Sequence, residues 1–523
     1  MGAFITDSLA AVAAQSPDRL LFQAPDGNRR TAADLDRASE RLAAAFGRAG
    51  LQPGARVGVW MEDCAECVET YLALARAALV GVPLGRLLTA DEVNYILEDV
   101  GAEALVYSGA LETSASQVLA ASGERLVLVV GVGDDARSAT HRYADVIDEA
   151  PAQPQPPVEV TAGGTMLIAY SSGTTGFPKG TVLTYGSVEA GTRLSLMGRR
   201  LRPWGVAVLP ASLSFPAMIT AELFSHLRTG SAVIMTGGWG EQVYEAIDQH
   251  QANYLFVPSP VMADFAARIE RDPAVLTSLS TIAHGGSAAR PDVVARIARA
   301  TGDRFTELWG MIENSGAPLT AFTDADRRAL LHDDGVGASV GTALPGCVIE
   351  AHGPDGTVLP RGPEHVGELS VRSPARFAGY WHNDGATDAA LGDGYYRTGD
   401  IGWLDVHGRV YLLDRRQDVI ISGGINVYPS EVERVIAELP EVKDVVVVGL
   451  EHQRWGRTPV AVVVADALTE QQVVDHCRAH LASYKKPTKV VFVDDLPRNA
   501  SNKVLRRVVI EQLAHAVQLG RAQ

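Results

Sequence analysis

The chain has 523 residues, of which 46% are hydrophobic and 21% charged, an ordinary globular composition with volume for several cores. Its formal net charge is -16, which argues against a general nucleic-acid or anionic-membrane binder. An anionic small ligand stays open, because a few local cations and backbone N–H groups can hold a phosphate on an acidic protein.

Read from its start, the chain shows no positive stretch ahead of its first apolar residues, so no secretory signal is expected. No apolar run approaches ~18 residues, so no stable membrane insertion is expected. The four cysteines suit a reducing, cytoplasmic setting. Cys64 and Cys67 form a C-x-x-C pair inside Glu62–Leu79, which reads as a helix, so they are expected to be helix-face thiols. Apolar strand-like runs follow at Val57–Trp60, Ala104–Tyr107, Leu126–Val130, Met166–Tyr170, Val206–Leu209, Ala232–Met235 and Tyr254–Val257. Helical stretches lie between them, among them Leu35–Ala49, Glu241–His250 and Pro291–Ala300. The proline-rich stretch 151–157 reads as a stiff surface connector. This alternation predicts an α/β protein with helix-covered sheets.

A boundary is expected near Asp414–Asp418, a short charged junction suited to a hinge. Strand-like pieces at Gly367–Val371 and Val410–Leu413 precede it. A compact α+β pattern follows, with helices at Glu431–Leu439 and Glu470–His480 and strands at Val445–Gly449, Val460–Val464 and Val490–Val493. The expected division is a large N-terminal domain, 1–416, and a small mobile C-terminal domain, 417–523. Oligomeric state cannot be read from this pattern.

The most unusual segment is Tyr170-Ser-Ser-Gly-Thr-Thr-Gly-Phe-Pro-Lys-Gly180. Small residues free its backbone to wrap a phosphate, the hydroxyls of Ser171, Ser172, Thr174 and Thr175 add donors, and Gly173 and Gly176 allow close approach. A buried strand is expected before it and a helix after it. Lys179 is the sole lysine of the first 442 residues, while forty of the chain's 46 cations are arginine. A compact ammonium retained in such a chain points to a defined role, here a point charge for phosphates. The G-K-[ST] order of a Walker loop is absent.

This loop resembles the phosphate loop of the adenylate-forming superfamily of acyl-CoA synthetases, peptide-synthetase adenylation domains and beetle luciferases. The resemblance extends over nearly the whole chain. Ala77–Leu105 is similar to the early helix–strand segment, Trp309-Gly-Met-Ile-Glu313 to the Tyr-Gly-x-Thr-Glu motif, and Tyr396-Arg-Thr-Gly-Asp400 to the ribose motif. Asp414-Arg415 and Ser422–Glu433 resemble the hinge and thiol-channel segment, and Pro497–Lys503 the segment bearing a catalytic lysine.

The resemblance implies a role for each residue. Asp400 accepts the ribose hydroxyls, Arg415 contacts ribose or phosphate, and Glu313 holds Mg²⁺. Trp309 stacks on adenine beside Gly310, while Gly285, Gly286 and Ser287 border adenine and acyl group. Lys179 and Lys503 neutralise phosphate charge in the transfer step. Gln417 aligns with the pivot, and Gly423 and Gly424 line the thiol channel. Phe215, Met218, Phe256 and Trp309 suggest an apolar acyl or aryl pocket without an acidic partner for an α-amine.

The implied activity is that of an AMP-forming acyl-CoA synthetase. It uses ATP, Mg²⁺ and coenzyme A on a small-molecule carboxylic acid. The alternatives are a ligase fed with acyl-AMP by a separate adenylating enzyme, and transfer to a carrier protein's thiol. Four positions depart from the family pattern. Ile312 replaces a threonine that donates to the α-phosphate, Leu213 stands where a histidine is frequent, Ile425 replaces a glutamate and Asn502 a glycine.

Overall fold

The computed structural model describes residues 4–149, 158, 160–171, 178–287, 289–332, 334–416, 418–422, 425–452, 456–482, 484–498 and 504–520, of which 171, 334 and 515–520 are described by their backbone alone. Backbone contacts gather the chain into two units, Met1–Val348 with Arg372–Tyr396, and Ile349–Val371 with Arg397–Gln523.

The first unit is built on two large sheets. One places Thr342–Ala343, Pro318–Ala321, Phe305–Gly310, Thr281–Gly285, Tyr254–Val257, Val206–Leu209, Ala232–Met235, Leu20–Gln23 and Arg29–Thr31 side by side. Its strands from Phe305–Gly310 across to Leu20–Gln23 are parallel. The other runs Gly379–Tyr380, Lys179–Thr184, Thr165–Ser171, Val80–Pro83, Arg56–Trp60, Ala104–Ser108, Leu128–Val132 and His141–Arg142. Both sheets need cover on two faces, and the sequence provides for it. Ala104–Ser108 is buried at every position, the run expected of a central parallel strand. Helix Ala32–Arg48 turns Leu35, Leu42 and Phe46 inward. Its start is fixed by Thr31, whose side chain accepts from the Asp34 N–H while the Asp34 carboxylate returns to the Thr31 N–H.

Two expectations need adjustment. The phosphate-loop segment leads into a strand, Lys179–Thr184, and the helix Tyr185–Gly198 begins only after it. The cause is the β-branched and apolar run Thr181-Val-Leu-Thr184, which pairs antiparallel with Thr165–Ser171. Thr184 then caps the helix by accepting from the Ser187 N–H. The helix read over Glu62–Leu79 is shorter, Ala65–Arg76, because Cys64 sits at its N-cap in extended backbone. All four cysteines are free thiols, and burial raises the pKa of both Cys64 and Cys67.

In the second unit, Val348–His352, Gly367–Arg372, Tyr395–Leu404 and Val410–Arg415 line up in that order. A further sheet follows: Ile425–Val427, Ile420–Ser422, Gly456–Ala465 and Val442–His452, with Lys489–Phe492 also on Gly456–Ala465. The valine-rich strand Val442–His452 feeds two cores by alternation. Val447 joins Val432, Ile436, Val473 and Cys477 on one face, while Val446 and Val448 join Val462, Leu496 and Val509 on the other. Among the described residues no helix is long and apolar enough to cross a membrane.

Candidate active site

In the first unit the site grows from sheet register. Ser171 and Lys179 are direct partners across the antiparallel pair, so both ends of the glycine-rich segment are pinned side by side. Gly180 is obligatory there, because a Cβ would stand 2.9 Å from Ile168 Cγ2 and 3.1 Å from Trp381 Cβ. On the other side of the Lys179–Thr184 strand, Tyr380 pairs with Thr181 and Gly379 with Val182. This register sets the Tyr380 ring under the Lys179 ammonium, 5.5 Å from Nζ to the ring centroid, within cation–π reach. The Tyr380 hydroxyl donates to Glu313 Oε1 at 3.1 Å, and the Phe377 N–H donates to the Glu313 carbonyl at 2.8 Å. Lys179 and Glu313 thus converge on one tyrosine.

The stretch behind Glu313 is tightly held. Thr220 donates to the Ser315 carbonyl at 2.7 Å, and Ser315 donates to the Ala375 carbonyl at 2.9 Å. Gly316 takes φ +70° with Ala217 Cα only 2.7 Å from where a Cβ would sit. Ile312 is half-buried on the short turn Ile312–Asn314.

The parallel strands Val206–Leu209, Tyr254–Val257, Thr281–Gly285 and Phe305–Gly310 end on one edge, where open α/β sheets take ligands. Gly285 and Gly286 close the third of these strands. A Cβ on Gly285 would meet the Leu308 carbonyl at 2.9 Å, and Gly286 has φ +97°. At the same edge lies a relay absent from the sequence expectations. His284 and Glu307 are neighbours in register and buried. His284 Nδ1 is 2.8 Å from both Glu307 oxygens, and Nε2 is 2.8 Å from Ser259 Oγ. Ser287 donates to Ser259 Oγ at 2.7 Å. With Nδ1–H given to the carboxylate, Nε2 accepts from Ser259, and the chain of donors ends on the exposed Ser287 hydroxyl.

The apolar candidates occupy this region unevenly. Met218 opens the π-helical turn Met218–Leu223 and is buried, as is Trp309, whereas Phe215 and Phe256 are half-buried. The loop carrying Phe215 is anchored by Asp63, which accepts from Ser212 Oγ at 2.9 Å and from the Leu213 N–H at 2.7 Å. Burial raises the Asp63 pKa even so. Leu213 is fully buried.

In the second unit Asp400 and Arg415 are register partners, with Arg415 Nε 2.6 Å from Asp400 Oδ1. The Thr-Gly-Asp turn is shaped by Thr398, which accepts from the Asp400 N–H at 3.0 Å and donates to the Leu369 carbonyl at 2.7 Å. Asp400 is buried and the Arg415 side chain is partly exposed. Next to them the Ser430 N–H donates to Asp414 Oδ2 at 2.9 Å, and burial pushes the Asp414 pKa up to about 7. Arg506 donates to Glu433 Oε1 and to the Val447 carbonyl, each at 2.6 Å. Burial opposes the Arg506 charge, and the Glu433 carboxylate more than restores it. Ser172, Gly173, Thr174, Thr175, Gly176, Gln417, Gly423, Gly424, Asn502 and Lys503 lie outside the described residues, as does the side chain of Ser171. Ile425 is exposed and is the register partner of Ser422, across 423–424.

Tyr380, Ser259, His284, Glu307 and Arg506 are the residues sequence reasoning missed. Phe377-Ala-Gly-Tyr-Trp381 carries three aromatics in five residues of a chain that is 6% aromatic, a usable signal. His284 and Glu307 are single titratable residues in otherwise apolar strands, which is also legible.

Comparison with known proteins then decides the family. Residues 9–381 match the model of the AMP-binding enzyme family, and residues 431–503 match the AMP-binding enzyme C-terminal domain. This chain belongs to that family. A long-chain-fatty-acid–CoA ligase of Mycobacterium tuberculosis is 30% identical over 94% of each chain. A 2-succinylbenzoate–CoA ligase of Bacillus cereus is 30% identical over 88% of each. Among solved structures, ATP-bound MatB from Rhodopseudomonas palustris superposes with TM-score 0.85 at 27% identity, covering 97% of this chain and 98% of its own. The protein is an AMP-forming acid–thiol ligase of the adenylate-forming superfamily, and ATP, Mg²⁺ and coenzyme A are the cofactors of that class.

The residues present fit Mg²⁺ and the ATP phosphates. Among the described residues the second Glu313 oxygen makes no hydrogen bond, and a half-buried carboxylate that shares Tyr380 with the Lys179 ammonium suits a hard cation and its phosphates.

Proposed function

We propose that this ligase activates an apolar acyl or aryl acid as its acyl-adenylate and transfers the acyl group to coenzyme A. The observation that carries the reading is the convergence of Lys179 and Glu313 on Tyr380 at the mouth of the glycine-rich segment. The half-buried Phe215 and Phe256, and the absence of an acidic residue from Ser212–Met218, support an apolar substrate. The names of the curated relatives, a long-chain fatty acid in one and an aryl acid in the other, support the same class.

In the first step the substrate carboxylate attacks the α-phosphorus of ATP. The acyl–oxygen–phosphorus bond forms, the bond to the β-phosphate oxygen breaks, and pyrophosphate leaves. Lys179 and Lys503 offset the charge on the phosphate oxygens, and the Asp400 carboxylate orients the ribose hydroxyls, with Arg415 holding Asp400 in place. Glu313 would hold Mg²⁺, which supplies charge neutralisation at the phosphates. Gly286, Ser287, Trp309 and Gly310 frame the adenine. In the second step the thiolate sulfur attacks the acyl carbonyl, AMP leaves with the bonding pair, and a thioester results. The working division is 1–416 against 417–523, pivoting at Gln417, with Gly423 and Gly424 admitting the thiol.

The test is pyrophosphate exchange into ATP across a panel of fatty and aryl acids, run beside thioester formation from synthetic acyl-AMP and free coenzyme A. Acid-dependent exchange together with acyl-CoA formation is expected. Thioester formation from acyl-AMP with no exchange for any acid would overturn the two-step reading and assign the loss to Ile312. Exchange with no acyl-CoA would overturn coenzyme A as acceptor and point to a carrier-protein thiol.

A further inference from the structure

In the second unit, three side chains with metal-binding atoms, none of them assigned above, meet between one helix and the turn that follows another. His476 and His480 are four residues apart on helix Glu470–His480, so they share a face. Glu438 follows helix Pro429–Ile436. One ligand atom from each lies within 4.8 Å of the other two. The backbone between them is firm, because Val473 and Cys477 of one helix pack into the core with Val432, Val435 and Ile436 of the other.

Two details go beyond proximity. His480 Nδ1 is 2.9 Å from the His476 carbonyl, which can only accept, so Nδ1 carries the proton and Nε2 is left as a lone-pair donor. This outer hydrogen bond to a carbonyl is the one metal-bound histidines make. His476 Nε2 is a buried atom with no hydrogen-bond partner among the described residues, and it faces Glu438 Oε2 at 3.5 Å. Two ligands of a tetrahedral zinc ion stand ~3.3 Å apart, given bonds of about 2.0–2.1 Å. One pair is therefore already at ligand separation. The exposed His480 ring supplies the third ligand atom, within 4.8 Å of the other two. Arg434 touches the other Glu438 oxygen at 3.4 Å and leaves Oε2 to the site.

We propose that Glu438, His476 and His480 form a binding site for a transition-metal dication of the Zn²⁺ class, with water as fourth ligand. Two imidazoles and one carboxylate select such an ion over Mg²⁺, which prefers oxygen ligands and octahedral geometry. The ion would tie helix Pro429–Ile436 to helix Glu470–His480. It would thereby stiffen the segment that follows 423–424.

The test uses the full chain, stripped with a chelator, and titrated with Zn²⁺ against a chromophoric competitor. The wild type should bind one equivalent more than the His476→Ala/His480→Ala variant. Co²⁺ should give the intense visible bands of a tetrahedral site in the wild type only. Zn²⁺ should raise Tm by ~2–4 °C at saturating excess, Mg²⁺ should not, and Glu438→Gln should weaken the effect while preserving the fold. Equal zinc stoichiometry in wild type and double variant, or a zinc-induced Tm shift that the variants retain, would overturn the site. The positions are half-buried or exposed, so the variants are expected to fold, and circular dichroism checks that they do.

Discussion

The two units hold their functional residues by different means. In the first, register does the aiming: Ser171 opposite Lys179, Thr181 opposite Tyr380, and His284 beside Glu307 are all fixed by backbone ladders. In the second, register sets Asp400 opposite Arg415, and side-chain charges hold the rest. Asp414 grips Ser430, and Arg506 clamps Glu433 and reaches Asp418 at 3.6 Å. Ladder-fixed groups keep their aim across pH and salt, whereas charge-fixed groups titrate and are screened. The difference suits a fixed aim in the first unit and, under the pivot proposed above, adjustable contacts in the second.

The comparison breaks most visibly where a buried charge depends on one neighbour. His284→Ala is expected to cost about 3–5 kcal/mol, because it leaves the buried Glu307 carboxylate without its partner. Urea denaturation measures this, and a loss below ~1 kcal/mol would show that Glu307 finds another donor or takes up a proton. Lys179→Ala should lower kcat/KM for pyrophosphate exchange by ~10²–10³ with Tm nearly unchanged. A large stability loss with normal exchange would make the lysine a structural residue. Tyr380→Phe keeps the ring under Lys179 and removes the hydroxyl on Glu313, so about a tenfold loss and a raised Mg²⁺ requirement are expected. An unchanged Mg²⁺ profile would separate Tyr380 from the metal.

A pH dependence sharpens the second half of the comparison. Asp414 is held at about 7, above the unfolded carboxylate range, so the folded chain binds more protons than the unfolded chain between ~4 and 7. Its contribution is therefore full at acid pH and is lost as pH rises toward 7, by at most ~1.4 kcal/mol per pH unit. Asp414→Asn should flatten this slope when denaturation is compared at about pH 5 and about pH 7.5. An identical slope in both proteins would place the titration elsewhere.

Much of this was legible beforehand, for identifiable reasons. Val206–Leu209, Ala232–Met235, Tyr254–Val257, Glu241–His250 and Glu470–His480 occupy the residues expected, because each is a short periodic run bounded by turn or capping residues. Taken locally, Lys179–Thr184 reads as the end of a loop running into a helix. Its strand character comes from partners on both sides, one of them almost two hundred residues away in sequence, and no local window contains them. Glu313 was legible from its motif, whereas the aromatic cluster Phe377–Trp381 was visible without its meaning, since Tyr380 gains a role only once register sets it beside a lysine. His284 likewise stands out in its strand, but its link to Ser259, remote in sequence and adjacent in space, is visible only in the structure. Arg506 looked like one arginine among forty.

Side chains on a strand alternate between two faces with a period of two. Residues gained or lost within 172–178 therefore leave the lysine's orientation untouched, because the ladder begins at Ser171 and resumes at Lys179. One residue inserted between Gly180 and Thr184 would instead point the ammonium through the opposite side of the sheet or misalign the tyrosine that faces it. Natural variation in the length of this glycine-rich connection should act on phosphate binding and spare the lysine's aim. Variation just beyond it should be purged.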